Sequence, residues 1–312
     1  MDTTAVILEE PRRLDLRRIV LDAPGEDDAV IEVSWSGIST GTERLLWTGA
    51  MPDFPGMGYP LVPGYESVGQ VIRAPLASGL RVGQTVYVPG ARCFGEIRAL
   101  FGGAAGRLVT GADRVWPIDP ALGADGTLLA LAATAYNALP AEDAAQPDLI
   151  IGHGVLGRLI ARIAVARGAA PVVWERAAAR RGGAVGYVVI DPDLDTRRDY
   201  RCIVDASGDG AQLDALIGRL AHGGEIVLAG FYADRLSFAF PAAFMREARL
   251  RVAAEWRRPA MTAVRALIDT GRLSLEGLVT HEEFAGDAAR AYRTAFNDPD
   301  CLKMVLDWRL CA

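Results

Sequence analysis

Residues 148–175 read DLIIGHGVLGRLIARIAVARGAAPVVWE, and their order decides the fold of the second half of the chain. Leu149-Ile150-Ile151 is a short apolar run. Gly152-His153-Gly154-Val155-Leu156-Gly157 follows with the spacing G-x-G-x-x-G, and Leu159, Ile160, Ile163 and Ala164 then recur at helical intervals. Gly168 closes that helix, and Val172-Val173-Trp174 runs into Glu175. Strand, glycine turn, helix, strand and acid is the order that cradles a dinucleotide. Gly152 permits the tight turn, Gly154 leaves the backbone bare for a pyrophosphate, and Gly157 lets the helix close on the sheet. The start of the helix offers its free N–H groups and positive dipole end to the phosphates. Glu175 can accept hydrogen bonds from a ribose diol and would repel a 2′-phosphate, which favours NAD. Arg176, Arg180 and Arg181 follow it and pull toward NADP. The plainer alternative is a glycine-rich turn that holds no ligand.

Outward from this unit, strands and helices alternate. Apolar runs at 187–191, 202–205, 226–229 and 250–255 flank a helical stretch at 210–221, which implies a mostly parallel sheet covered on both faces. Ser207 and Gly208 follow the fourth strand and Phe231 follows the fifth. Those are carboxyl ends, where open α/β sheets bind ligands, and all three are expected beside the nicotinamide ribose. The last strand, 250–255, would lie at the sheet edge, open to pairing in a homodimer or to a covering loop. Residues 1 to about 120 read differently. Short strand-like runs at 4–8, 30–35, 67–72, 85–88 and 114–118 are separated by turn signals such as Pro63-Gly64 and Pro89-Gly90, the pattern of a small barrel or sandwich. A helix is expected over 126–139. Helices over 261–270 and 287–297, with a short strand at 278–280, precede 303–307, a strand that would return to the first domain.

The bulk properties narrow the classes. A chain of 312 residues suggests about two domains. With 51% hydrophobic and 23% charged residues it buries a core and is not disordered. A net charge of −6 without a basic run argues against nucleic acid. Cys93, Cys202, Cys301 and Cys311 are scattered with no C-x-x-C, so neither a zinc ribbon nor a disulfide framework is indicated. Charge interrupts the N-terminus at Glu9, as a secretory signal would not tolerate, and no apolar run nears the roughly 20 residues of a membrane span. A soluble, cytoplasmic protein is expected.

A β-rich first domain, a nucleotide-binding second and a C-terminal return strand resemble the medium-chain dehydrogenase/reductase superfamily over essentially the whole chain. The resemblance is carried by Gly37-Ile38-Ser39-Thr40-Gly41-Thr42-Glu43, Pro63-Gly64-Tyr65-Glu66, Arg81-Val82-Gly83-Gln84-Thr85-Val86 and the ending Lys303-Met304-Val305-Leu306-Asp307. It implies a fold of class α/β plus β: a GroES-like β-rich catalytic domain over 1–122 and 272–312, and a Rossmann domain with a doubly wound parallel sheet over 123–271. The zinc-dependent alcohol dehydrogenases of this superfamily carry a Cys in the first turn and G-H-E in the second. Here Ser39 or Thr40 and Tyr65 stand at those places, Glu66 alone survives, and Cys93 alone represents the structural-zinc lobe. Zinc needs three or four held ligands, so no metal is expected. The opening 3–18, the segment S-G-I-S-T-G-T-E-R-L-L-W-T-G, G-Y-E-S-V-G and G-H-G-V-L-G resemble a narrower group, the dehydrogenases of bacteriochlorophyll synthesis. That implies oxidation of the 3-(1-hydroxyethyl) group of a chlorophyllide-type tetrapyrrole to 3-acetyl, with NAD as acceptor. A zinc-independent quinone or enone reductase using NADPH, and a nucleotide-binding relative without turnover, remain the rivals.

Without a metal, a side chain must polarise the substrate oxygen and take or relay its proton. Thr42 stands where the superfamily often places a relay hydroxyl, and is otherwise a turn residue. Tyr65 either meets the substrate oxygen or packs with its hydroxyl satisfied. As a base it would need a pKa well below the ordinary value of about 10. Glu66 either polarises Tyr65 or holds a neighbouring cation. His153, in the glycine turn, either relays a proton near the cofactor or is a loop residue contacting phosphate or solvent. Trp47, Met51, Phe54, Met57 and Tyr59 lie in 45–59, a loop by its Gly and Pro content. They would suit the face of a large flat ligand, or core packing or a subunit contact.

Overall fold

The computed structural model of the protein describes every residue except Phe54 and Ala312. The elements in chain order are β1 Asp2–Glu10, β2 Arg13–Val20, β3 Asp28–Ile38, α1 Thr42–Thr48, β4 Leu61–Val62, β5 Ser67–Arg73, β6 Thr85–Val88, β7 Arg98–Ala99, β8 Arg107–Gly111, β9 Trp116–Pro117 and α2 Leu129–Ala138. There follow β10 Leu149–Ile151, α3 Val155–Ala166, β11 Val172–Trp174, β12 Val188–Ile190, β13 Tyr200–Asp205, α4 Leu213–Ile217, β14 Leu220–Leu228, α5 Phe240–Arg246 and β15 Arg249–Val252. The chain closes with α6 Arg258–Asp269, β16 His281–Phe284, α7 Ala288–Asn297 and β17 Met304–Asp307. They form two compact units, Met1–Ala130 with Leu278–Ala312, and Leu131–Gly277. No helix among the described residues is long and apolar enough to cross a membrane.

The first unit is built on β3. One sheet runs β16-β17-β3-β5-β6-β9 with β8 also on β3, and a second runs β2-β1-β4-β7. The C-terminal strand β17 lies antiparallel on β3, with Met304 opposite Ile38 and Leu306 opposite Ser36. That pairing carries Lys303 back to the turn after β3. Ile7, Val30, Ile31, Val71 and Val86 join a common core with Tyr292 and Trp308, with a register irregularity between Val30 and Ile31. Strand β2 and its partner β1 are sewn together on their outer face by Arg17 on Glu9 and Arg18 on Asp2, both at 2.5 Å. The 3-10 stretch Pro120–Leu128 also belongs here, because Gly126 sits against Val68 and Ile118 with no room for a side chain.

The second unit is a parallel sheet in the order β12-β11-β10-β13-β14-β15. Counted within the unit this is 3-2-1-4-5-6, the doubly wound order whose reversal lies between β10 and β13. Its central strands are buried on both faces, which is why Leu149-Ile150-Ile151 and Ile203-Val204 show no polar alternation. Helix α3 lays Leu159, Ile160 and Ile163 fully out of solvent, each worth about 1.5–3 kcal/mol of burial.

Several expected elements differ in place or kind. Residues 45–48 are helical, the end of α1, and Gly49 at φ 75° is its left-handed cap. The loop reading came from glycines and prolines that begin only at Gly49. Strand β2 was missed because its outward positions are charged. Helix α4 is shorter than 210–221, since β14 starts at Leu220. The edge strand is Arg249–Val252 and the strand placed at 278–280 is His281–Phe284.

Candidate active site

The glycine turn joins β10 to α3. Gly152 leaves β10 at φ 94°. A side-chain carbon on Gly157 would meet the Gly152 carbonyl oxygen at 1.9 Å, so only glycine lets α3 start here. At Gly154 such a carbon would meet nothing within 4 Å: the turn opens onto free space there, room that a pyrophosphate requires. Val155 and Leu156 form the first turn of α3, whose N-cap is Gly154. Ser207 and Gly208 lie beside this turn. The Cα of Ser207 is 3.6 Å from a side-chain position on Gly152, and Gly208, at φ 71°, abuts the Phe231 carbonyl. The Ser207 hydroxyl is donated to Asp205 Oδ1 at 2.6 Å, so it serves the turn, and half-exposed Phe231 presents its ring at the same carboxyl edge. Glu175, at the end of β11, accepts from the His153 N–H at 3.2 Å and from the Ala177 N–H at 2.9 Å. Arg176 is exposed next to it.

His153 departs from its expected place. The imidazole is fully buried rather than turned to phosphate or solvent. Nδ1 lies 2.7 Å from the Arg180 carbonyl, which can only accept, so Nδ1 carries the proton. Nε2 lies 2.8 Å from the Tyr187 hydroxyl. Burial holds the ring below its ordinary range, hence neutral. Both nitrogens are engaged inside the unit.

In the first unit the structure gathers a group that sequence reading only half found. The Tyr65 hydroxyl and Ser39 Oγ are hydrogen-bonded at 2.7 Å, and the Tyr65 ring stands edge-on to Phe101 at 5.0 Å. Burial, and then the Glu66 carboxylate, push the phenol above its ordinary value, and the hydroxyls of Ser39 and Thr42 offset this only in part. Tyr65 therefore remains a neutral hydroxyl, the opposite of what a phenolate base requires. Glu66 is completely buried, with Oε2 on the Lys303 ammonium and Oε1 lacking any partner. Gly37 makes the slot: a side-chain carbon there would come within 2.2 Å of Glu66 Oε2 and 3.0 Å of Lys303 Cε. Glu43, on the first turn of α1, is buried as well. It accepts from the Ser39 N–H at 2.9 Å and from the Tyr292 hydroxyl at 2.5 Å.

Sequence reading did not single out Ser39 as a partner of Tyr65, nor Lys303 and Tyr292 as partners of the carboxylates. One signal was present: Lys303 is the only lysine among 33 cationic Lys and Arg residues, and it opens an apolar strand.

Burial raises the Glu43 carboxyl from 4.5 to about 7, against the two hydrogen bonds that favour its charge. A carboxyl that binds its proton more tightly when folded stabilises the fold below 4.5 and loses that contribution as the pH climbs through about 7. Wild type should therefore lose on the order of 3 kcal/mol from this group across that window. In Glu43→Gln that part of the loss disappears. Urea unfolding at several pH values reads the difference, and equal slopes for both proteins would refute the burial account.

The aromatic and methionine side chains of the α1–β4 segment are half-buried. Met51, Met57 and Tyr59 pack with Trp47 against Leu8, Leu46, Leu61 and Leu100, and the Tyr59 hydroxyl is donated to the Leu46 carbonyl. Trp47 also meets Phe296 at 6.4 Å. They are anchored on a small core of their own and keep only part of their surface free. Phe54 lies outside the described residues. Among the described residues no three of His, Cys, Asp and Glu stand together as metal ligands. The zinc that the fold family often carries does not fit this donor set, in which Ser39 or Thr40 and Tyr65 stand at ligand positions and Glu66 is committed to Lys303.

A β-rich unit on a returning strand and a second unit with a 3-2-1-4-5-6 sheet and an open G-x-G-x-x-G turn define a medium-chain dehydrogenase/reductase. Residues 25–120 match the alcohol dehydrogenase GroES-like domain. The solved structure of L-idonate 5-dehydrogenase from Escherichia coli shares the fold, with a TM-score of 0.86 at 18% identity over 98% of each chain. The chain is 58% identical over 311 residues to 2-desacetyl-2-hydroxyethyl bacteriochlorophyllide A dehydrogenase of Rhodobacter capsulatus, covering 99% of both. It is 59% identical over 318 residues to the protein of that name from Cereibacter sphaeroides, covering 100% of both. The chain belongs to this family of 2-desacetyl-2-hydroxyethyl bacteriochlorophyllide A dehydrogenases.

Proposed function

We propose that this protein oxidises the hydroxyethyl substituent of a bacteriochlorophyllide-type macrocycle to acetyl, with NAD as acceptor and without zinc. The observation that carries the reading is identity of 58–59% along the whole chain with two dehydrogenases named for that substrate. The unit Leu131–Gly277 is assigned to the cofactor, and Met1–Ala130 with Leu278–Ala312 to the substrate chemistry. Gly152, Gly154, Gly157 and the start of α3 hold the pyrophosphate, and Glu175 takes the ribose diol. The fixed negative charge of Glu175 disfavours a 2′-phosphate and supports NAD over NADP.

A nicotinamide held there would supply the acceptor for the hydride of the carbinol carbon. The hydroxyl proton leaves separately, so alcohol and NAD⁺ yield ketone, NADH and a proton. Tyr65, held neutral, accepts the hydrogen bond of the substrate hydroxyl and donates its own proton to Ser39, so that the substrate proton leaves along these hydroxyls to solvent, with Thr42 as the adjoining hydroxyl. Glu66 and Lys303 fix the segment that carries Tyr65. The half-exposed Trp47, Met51, Met57 and Tyr59 offer an apolar edge to the macrocycle, as does the segment around Phe54 by sequence. His153 has no free nitrogen for a relay, and its part is structural.

A second copy is proposed at the open edge of β15, where Val252 is 75% exposed and Leu250 stands with exposed Phe240, Phe244 and Met245. Sedimentation showing only a 33.3 kDa species would rule it out.

The function is tested by incubating the purified protein with NAD or NADP and a hydroxyethyl bacteriochlorophyllide. Appearance of reduced nicotinamide with a shift of the pigment band is expected with NAD, and in protein free of zinc by metal analysis. Intact pigment would sink the assignment, and reduction of an enone or quinone by NADPH instead would replace it with a reductase.

A further inference from the structure

The segment 176–186 follows the ribose-selecting Glu175 and has no strand of its own. Its backbone carbonyls are gathered inward by three side chains. Arg158, in the first turn of α3 and only 8% exposed, donates to the carbonyls of His153 at 3.0 Å, Gly183 at 3.3 Å and Arg180 at 3.2 Å. Arg181 donates to the carbonyls of Glu175 and Arg176, both at 2.8 Å, and pairs with Asp191. The third is His153, from inside the glycine turn. Its Nδ1–H takes the Arg180 carbonyl and its Nε2 accepts from the Tyr187 hydroxyl, with the two rings edge-to-face at 5.6 Å. The same residue's main-chain N–H holds Glu175 Oε2. His153 is thus the one residue of the turn bonded to both the acid and the loop behind it.

We infer that His153 is a positioning residue for cofactor selection: through Arg180 and Tyr187 it fixes the loop that aims Glu175 and holds Arg176 and Arg180 away from the ribose 2′ position. This rests on the nucleotide reading of the turn. A loop freed from His153 lets the arginines of 176–181 swing toward a 2′-phosphate, while Glu175 loses its fixed direction. The consequence falls on the choice between NAD and NADP rather than on proton transfer.

The test is calorimetric titration of the full chain with NAD and with NADP, together with kcat and its pH profile on the hydroxyethyl substrate. In His153→Leu, NAD affinity should fall roughly ten-fold, the loss of one or two buried hydrogen bonds, and the NAD-to-NADP preference should shrink by a similar factor. The kcat at saturating cofactor and its pH profile should stay as in wild type. His153→Asn, whose amide can still donate to the Arg180 carbonyl, should recover part of the preference, and Tyr187→Phe should lose part of it. A folded His153→Leu protein with unchanged preference overturns the proposal. So does a fall in kcat with a displaced pH profile, which would make His153 a proton carrier. Where His153→Leu does not fold, unchanged preference in both His153→Asn and Tyr187→Phe overturns it equally. Wild type that binds neither nucleotide shows that the reading of the turn itself has failed.

Discussion

Lys303→Met lowers the stability of the protein by about 3–5 kcal/mol, as removal of one partner of a buried ion pair does elsewhere. The ammonium and Glu66 are both essentially inaccessible, at 2% and 0% of their side-chain surface, and they face each other across the slot that Gly37 leaves open. Without Lys303, Glu66 stands in the interior with neither oxygen paired, because Oε1 already lacks a partner. Burial alone raises its carboxyl, and the Lys303 charge is the main force that lowers it. The stranded carboxyl therefore takes up a proton more readily than in the unfolded chain. Its penalty shrinks as the pH falls and grows as the pH rises. Adding Glu66→Gln removes the stranded charge, so the double variant should regain most of the lost stability. Denaturant unfolding of the single and double variants at two pH values is the measurement. A single variant as stable as wild type would show that the pair contributes nothing. The slot also explains why this one cation is not arginine: the space beside Gly37 takes a narrow ammonium stem, and a planar guanidinium is wider.

Tyr65→Phe should lower kcat by about 10²–10⁴-fold, the range for loss of a positioned proton-transfer group, with NAD affinity unchanged. The substitution keeps the ring against Phe101 and removes only the hydroxyl, so folding should change by no more than about 1 kcal/mol. Ser39→Ala leaves the Tyr65 hydroxyl in place without its neighbour and should cost less. Because the phenol is pushed up rather than down, the activity profile of wild type should show no basic limb that belongs to a Tyr65 phenolate below the ordinary tyrosine range. Steady-state kinetics on the hydroxyethyl substrate decide. Turnover within two-fold of wild type in Tyr65→Phe would remove Tyr65 from the chemistry and leave it as packing.

The second unit was largely legible because its signals are local. A glycine turn, a helical apolar stripe and a following acid lie within 148–175, and each acts through its immediate neighbours. Alternation of strands and helices pointed to a mostly parallel sheet covered on both faces, and the strand order came from the structure. The β-rich unit was less legible. Strand β2 has its charges on a solvent face, β4 and β7 are two residues each, and α1 hides where glycines begin to signal a loop. Strands of this kind are defined by distant partners, and β17 reaches β3 across more than 260 positions of sequence.

The site divides in the same way. From sequence alone came the glycine turn proposed as a pyrophosphate cradle, the acid after it, and the expectation of no zinc. Each is a question of which residue types stand at fixed local spacing. Only the tertiary structure decided what the polar residues do, since a buried charge or ring is defined by the groups that surround it. It put Lys303 on Glu66 and Tyr292 on Glu43, and set Ser39 against Tyr65, over separations that no motif spans. It also turned His153 inward, onto Arg180 and Tyr187, where the sequence offered an imidazole facing the cofactor. Backbone conformation is written in nearby residues, whereas protonation and partnership are set by the desolvation and contacts that folding imposes.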